Sequence, residues 1–150
     1  MRKSIAVPGI VAAIFGAVLI WFTVMPVEPD RADAADAGLV ASGQAVYSQY
    51  CAGCHGPNLE GEPDWQLRRP DGTLPAPPHD ATGHTWHHSD TALFDLTKRG
   101  TAAVVGGGYR SNMPPFGPLL SDREIWAVLS YIKSQWPAKI REAHERSQQK

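Results

Sequence analysis

Cys51-Ala52-Gly53-Cys54-His55 is the stretch on which the reading of this chain turns. Two thiols three positions apart share one tight turn, and an imidazole follows the second directly. That spacing suits covalent haem attachment. Each sulfur forms a thioether to one porphyrin vinyl group, and the imidazole then lies beneath the iron. Other uses of such a pair fit less well. A redox disulfide has no need of the histidine and sits in a βαβ pattern, which the flanking sequence lacks. A structural zinc site needs four ligands, and the chain holds only 2 cysteines. One covalent haem c held by Cys51, Cys54 and His55 is the expected cofactor.

A haem enclosed on both faces needs a second ligand from far along the chain. Met113, in Asn112-Met113-Pro114-Pro115-Phe116, is the candidate. A thioether is a soft, neutral donor that favours ferrous iron and raises the potential relative to two imidazoles. The prolines stiffen the backbone behind it, so ligation orders little further chain. His55 and Met113 are thus the expected iron ligands. The bland alternative for Met113 is packing in a Pro-rich surface loop.

Around these residues the sequence reads as helices joined by much irregular chain. A helix fits Leu39 to Tyr50 and runs straight into the cysteines. Residues 56–88 are dense in Pro, Gly, Asp and His without periodicity, an ordered loop that a bound cofactor would support. Asp90 to Lys98 reads as a short helix, capped by Ser89 or Asp90 and stopped at Gly100. Gly106-Gly107-Gly108 is a flexible turn, and residues 112–118 cannot be helical. Ser121-Asp122-Arg123-Glu124 is a capping box, followed by Ile125, Trp126, Val128, Leu129, Tyr131 and Ile132 at helical spacing up to Trp136-Pro137. Residues 137–150 read as a polar tail, at most a short solvated helix, with His144 in water.

The N-terminus carries Arg2 and Lys3, then no charge from Ser4 to Val27. Such a run is long enough to cross a bilayer, and its positive flank predicts a cytoplasmic N-terminus. Residues 1–27 are therefore read as a membrane anchor, with a cleaved signal segment as the alternative. Ala32-Asp33-Ala34 and Ala35-Asp36-Ala37 have the small-x-small form of a cleavage site but lie well past the apolar run. Either reading exports the remainder to the periplasmic side of a bacterial membrane. Residues 28–37 are a linker, and 38–136 form the domain. Net charge is −1, and without Arg2 and Lys3 there remain 12 basic and 15 acidic residues, about −3. That balance, with no basic stripe, excludes nucleic-acid binding.

Taken together, residues Gly38 to Ser134 resemble the class I monohaem cytochrome c family. Gly43 and Tyr47 stand eight and four residues before Cys51, where that family has a glycine and an aromatic. Val128 and Tyr131 fit their partners on the last helix, and the missing side chain at Gly43 lets the helices approach. The resemblance implies an all-α cytochrome c fold, about three to five helices around the haem with one haem edge exposed, here preceded by an N-terminal transmembrane helix. It also implies a proline whose carbonyl takes a hydrogen bond from the axial histidine; Pro75, Pro77 and Pro78 all qualify.

His79, His84, His87 and His88 crowd one stretch of the irregular loop. They serve as a polar network that holds the loop, as a second metal site for copper or zinc, or as an alternative haem ligand. Tyr109 and Arg110 either meet a haem propionate or are plain loop residues.

The expected function is single-electron transfer without catalysis, as a carrier or as a subunit of an oxidoreductase complex. Its partners are redox proteins or membrane respiratory and photosynthetic complexes, with no small-molecule substrate. Two alternatives are a haem enzyme or gas sensor with an open sixth position, and a copper-handling protein that uses the His79–His88 loop.

Overall fold

The computed structural model describes residues 28–148, so the anchor read over 1–27 lies outside the described residues. Among the described residues there are helices and no strand, and no helix is long and apolar enough to cross a membrane.

Helix α1 spans Ala37–Val46, with the Asp36 carboxylate capping the N–H groups of Gly38 and Leu39. It begins two residues before the sequence pattern places it, because the cap and not the apolar pattern sets its start. From Tyr47 to Cys51 it widens into one π-helical turn, and the short helix α2 follows at Ala52–His55. The inserted residue re-aims Cys51 relative to an unbroken α-helix.

Helix α3 is Asp90–Arg99, capped by Ser89 and stopped at Gly100. A short α4, Thr101–Val105, follows at once, where the sequence gives no helical signal. Helix α5, Asp122–Ser134, starts at the Ser121/Glu124 capping box, in which each residue satisfies a backbone N–H of the other. Helix α6 is Ala138–Gln148.

Every residue of α5 from Ile125 to Lys133 is buried. A helix enclosed all round is surrounded by other elements, here α1, α3, α6 and the chain before α1. Its tightest approach is to α1. A Cβ on Gly43 would collide with the backbone carbonyl of Ala127 and meet the Tyr131 Cβ at 3.0 Å. Tyr47 and Tyr131 pack at this crossing, rings 5.4 Å apart, and Val128 is buried. On the other side Phe94 of α3 stacks on Trp126 at 4.2 Å.

Two stretches, one read as a linker and one as a solvated tail, are fixed to the domain. In the linker Ala32 is buried, the Asp33 N–H donates to Ser130 Oγ at 2.9 Å, and Lys133 Nζ reaches the Ala32 carbonyl at 3.2 Å. The tail folds as α6 and buries His144, whose ring meets Trp136 edge-on at 5.1 Å. The expectation that His144 is in water is corrected by that packing.

The Lys133 ammonium lies in the same region with almost no exposure. It contacts Asp90 at 3.0 Å and Glu145 at 2.6 Å. A buried charge persists only when paired in this way. The network ties α3, α5 and α6 together.

Candidate haem site

The residues read as haem attachment lie where α1 runs out. Cys51 closes the π-helical turn and is partly buried; Cys54 is exposed in α2, and His55 ends α2 and is buried. As a free thiol, Cys51 is pushed up to about 11 by burial and then by Cys54. A neutral thioether suits that position better than a thiolate.

The loop that follows folds back onto His55. Gly61 N–H donates to the His55 carbonyl at 2.7 Å and Glu62 N–H to Ala76 at 2.8 Å. Gly61 has φ of +69°, and a Cβ there would lie 2.5 Å from Pro78 N and 2.7 Å from the Pro77 carbonyl carbon. Only glycine allows this approach, and it brings Pro77 to the histidine. Of the three candidate prolines it is Pro77 whose carbonyl meets His55 Nδ1, at 2.8 Å. A carbonyl only accepts, so Nδ1 carries the proton and the Nε2 lone pair remains for a metal. Burial lowers the His55 pKa, opposed in smaller measure by Pro77; the neutral, ligating form is favoured.

Tyr47 links this site to the α1/α5 crossing. Its hydroxyl donates to the Gly56 carbonyl at 2.8 Å and lies 3.3 Å from that of His55.

Met113 lies in the extended segment after α4. Phe116 N–H donates to Thr97 and Gly117 N–H to Lys98, which pins the segment to the end of α3. The Thr101 hydroxyl donates to the Met113 sulfur at 3.3 Å. Met113 and Cys51 both pack, partly buried, on the edge of one apolar cluster. The Trp86 indole N–H is buried without a hydrogen-bond partner among the described residues. Such a donor calls for an acceptor, which a haem propionate could supply. The neutral thioether position, the free imidazole nitrogen and the orphaned indole all fit a haem.

The four loop histidines do not converge. His79 lies on His55, ring centroids 3.9 Å apart. His84 stacks on Trp65 at 5.2 Å and meets His88 edge-on, while the exposed His87 packs against Trp86. Among the described residues no group of three or more His, Cys, Asp or Glu side chains can hold a metal ion, so the second metal site is not formed. Near the loop tip, the Arg68 guanidinium covers the Tyr109 ring at 5.3 Å. Asp71 is held below its ordinary value by Thr73 first, then by Arg110 and Arg69.

The residues that sequence reasoning missed are Thr101, Trp86 and Trp136, besides the placement of His79. Trp136 Nε1 donates to the His79 carbonyl at 2.8 Å across 57 positions. No local pattern reports contacts of that span.

Comparison with known proteins adds three findings. A family model described as cytochrome c oxidase, cbb3-type, subunit III, matches residues 38–132. No curated protein matches the chain. Among solved structures, cytochrome CL from the marine methylotrophic bacterium Methylophaga aminisulfidivorans is similar, with 19% identity and a TM-score of 0.46 over 95% of this chain and 76% of that one.

Proposed function

The chain belongs to the family described as cytochrome c oxidase, cbb3-type, subunit III, and on that premise we propose that it passes single electrons through one haem c held covalently by Cys51 and Cys54. Its helical domain is a c-type cytochrome domain, and haem-based electron transfer is what such domains do. The finer assignment is that His55 and Met113 are the axial ligands. The observation that carries it is the His55–Pro77 hydrogen bond, which occupies Nδ1 and leaves the Nε2 lone pair free to coordinate, directly after the cysteine pair. Thr101 holds the Met113 sulfur by one lone pair and leaves the other for iron.

Bound haem supplies the one-electron couple. The chain's own residues tune it. Pro77 orients His55 and would strengthen its donation, and the buried Trp86 N–H would be free to donate to a propionate. Apolar packing around Cys51 and Met113 limits water, hence reorganisation. With His55 and Met113 both holding the iron, no position on it would remain for substrate.

The proposed setting is a membrane-bound respiratory complex, with residues 1–27 as the anchor and the haem domain on the periplasmic side. The family description and the uncharged run from Ser4 to Val27 support this reading. As a subunit, the protein would take electrons from a redox protein and hand them on within the complex.

An optical redox titration of the haem-matured chain tests the proposal. A single reversible one-electron transition is expected, at a potential typical of imidazole–thioether ligation. Two transitions, or reduction that does not reverse, would contradict it.

A further inference from the structure

His79 is held more firmly than its place in an irregular loop suggests. Its N–H donates to the Leu59 carbonyl at 2.8 Å, and its own carbonyl accepts from Trp136 Nε1 at 2.8 Å. Its Nδ1 meets Thr85 Oγ1 at 2.8 Å, and Thr85 is buried, with its hydroxyl 3.4 Å from the Pro78 carbonyl. With the Thr85 proton directed to Pro78, Oγ1 accepts from His79 Nδ1–H, which fixes the ring's tautomer and its rotation.

The ring so fixed lies flat on His55. The centroids are 3.9 Å apart and the planes 23° from parallel, while Tyr47 meets the His79 ring edge-on at 6.4 Å. Behind Trp136 stands His144 of α6. A continuous row therefore runs from the C-terminal helix to the buried imidazole of α2.

We infer that His79 is a positioning residue that sets the plane of the His55 imidazole toward the haem it would ligate. The inference rests on His55 being the iron ligand, as proposed above. The physical need is plain. A ligated imidazole can turn about its iron–nitrogen bond, and one hydrogen bond at Nδ1 restrains that turn only loosely, because carbonyl acceptors tolerate a broad range of directions. A flat, immobile ring against its face removes the remaining freedom. Outer residues of this kind orient a ligand and tune the metal.

The plane of an axial imidazole determines which iron orbital it engages, and so how unpaired spin spreads over the haem. Proton NMR of the ferric, haem-matured protein reads this as the pattern of shifted haem methyl resonances. His79→Ala should shift that pattern while the iron stays low-spin. His79→Phe, which restores a flat ring, should return it toward the native one. Thr85→Val, which frees the His79 ring without removing it, should move the pattern in the same direction as His79→Ala but less, and it decides the matter if His79→Ala does not fold. Native patterns in His79→Ala, or in Thr85→Val where that variant decides, would overturn the inference and leave the ligand assignment standing. A wild-type spectrum without low-spin, imidazole-bound iron would overturn both.

Discussion

The hydroxyl of Tyr47 donates to the carbonyl of Gly56 at 2.8 Å, so the side chain that packs the α1/α5 crossing also holds the residue next to His55. Core and site share one contact. Tyr47 is buried, and its pKa is raised, chiefly by that burial; the group is a hydrogen-bond donor throughout the physiological range.

Tyr47→Phe keeps the ring and removes the donor, leaving the Gly56 carbonyl unpaired by it. The expected loss is about 1–2 kcal/mol of stability, read from denaturant melts of the haem-loaded protein. A loss no larger than that of an exposed tyrosine would show that water replaces the hydroxyl freely.

Gly43→Ala tests the crossing itself. Its Cβ would collide with the Ala127 carbonyl, which is backbone and cannot swing aside. Forced separation of two packed helices should cost about 1–3 kcal/mol, seen as a lower Tm. An unchanged Tm would mean that the helices slide apart without loss.

Lys133→Met removes the cation of a buried network and strands Asp90, whose side chain is only 10% exposed. Breaking one half of a buried pair costs about 3–5 kcal/mol. Asp90→Asn added to Lys133→Met should recover part of this, because the stranded charge is gone. Simple additivity of the two changes in a double-mutant cycle would contradict the pairing.

Acid stability tests the cap of α5. The Ser121 hydroxyl first, and then its N–H, hold the Glu124 carboxyl below its usual 4.5. A depressed folded value means that the contribution is complete above the ordinary carboxylate pKa and is lost as pH falls through the depressed one. Glu124 is exposed, so the effect is screened to about a few tenths of a kcal/mol. The stability gap between wild type and Glu124→Gln should narrow as the pH is lowered through that range. A gap independent of pH would contradict the carboxylate's role.

How much of this was legible in the sequence follows from the range of each interaction. The cysteine–histidine motif, the Ser89 cap, the Ser121/Glu124 box and the Gly43 crossing are written in residues a few positions apart, or in a known family spacing. The burial of α6 was not legible. Nearly half of its residues are charged, and its ring and apolar packing rests on little more than Ile140 and His144, too sparse a stripe to read as a packed face. Lys133 reads as a solvated last-turn lysine until Asp90 and Glu145 are brought beside it from 43 and 12 positions away. His79 carried a choice between loop network, metal ligand and haem ligand. The approach that Gly61 permits, which sets the Pro77–Pro78 segment and so His79 beside His55, is visible only in three dimensions.

The absorption spectrum of the haem-matured chain, in both oxidation states and with carbon monoxide added to the ferrous form, tests the central claim most directly. Low-spin iron is predicted, with the weak thioether-to-ferric charge-transfer band present in wild type, absent in Met113→Ala, and no carbon monoxide binding in wild type. High-spin iron, or ready carbon monoxide binding by the unmutated protein, would mean an open sixth position and contradict electron transfer through a His55/Met113 haem.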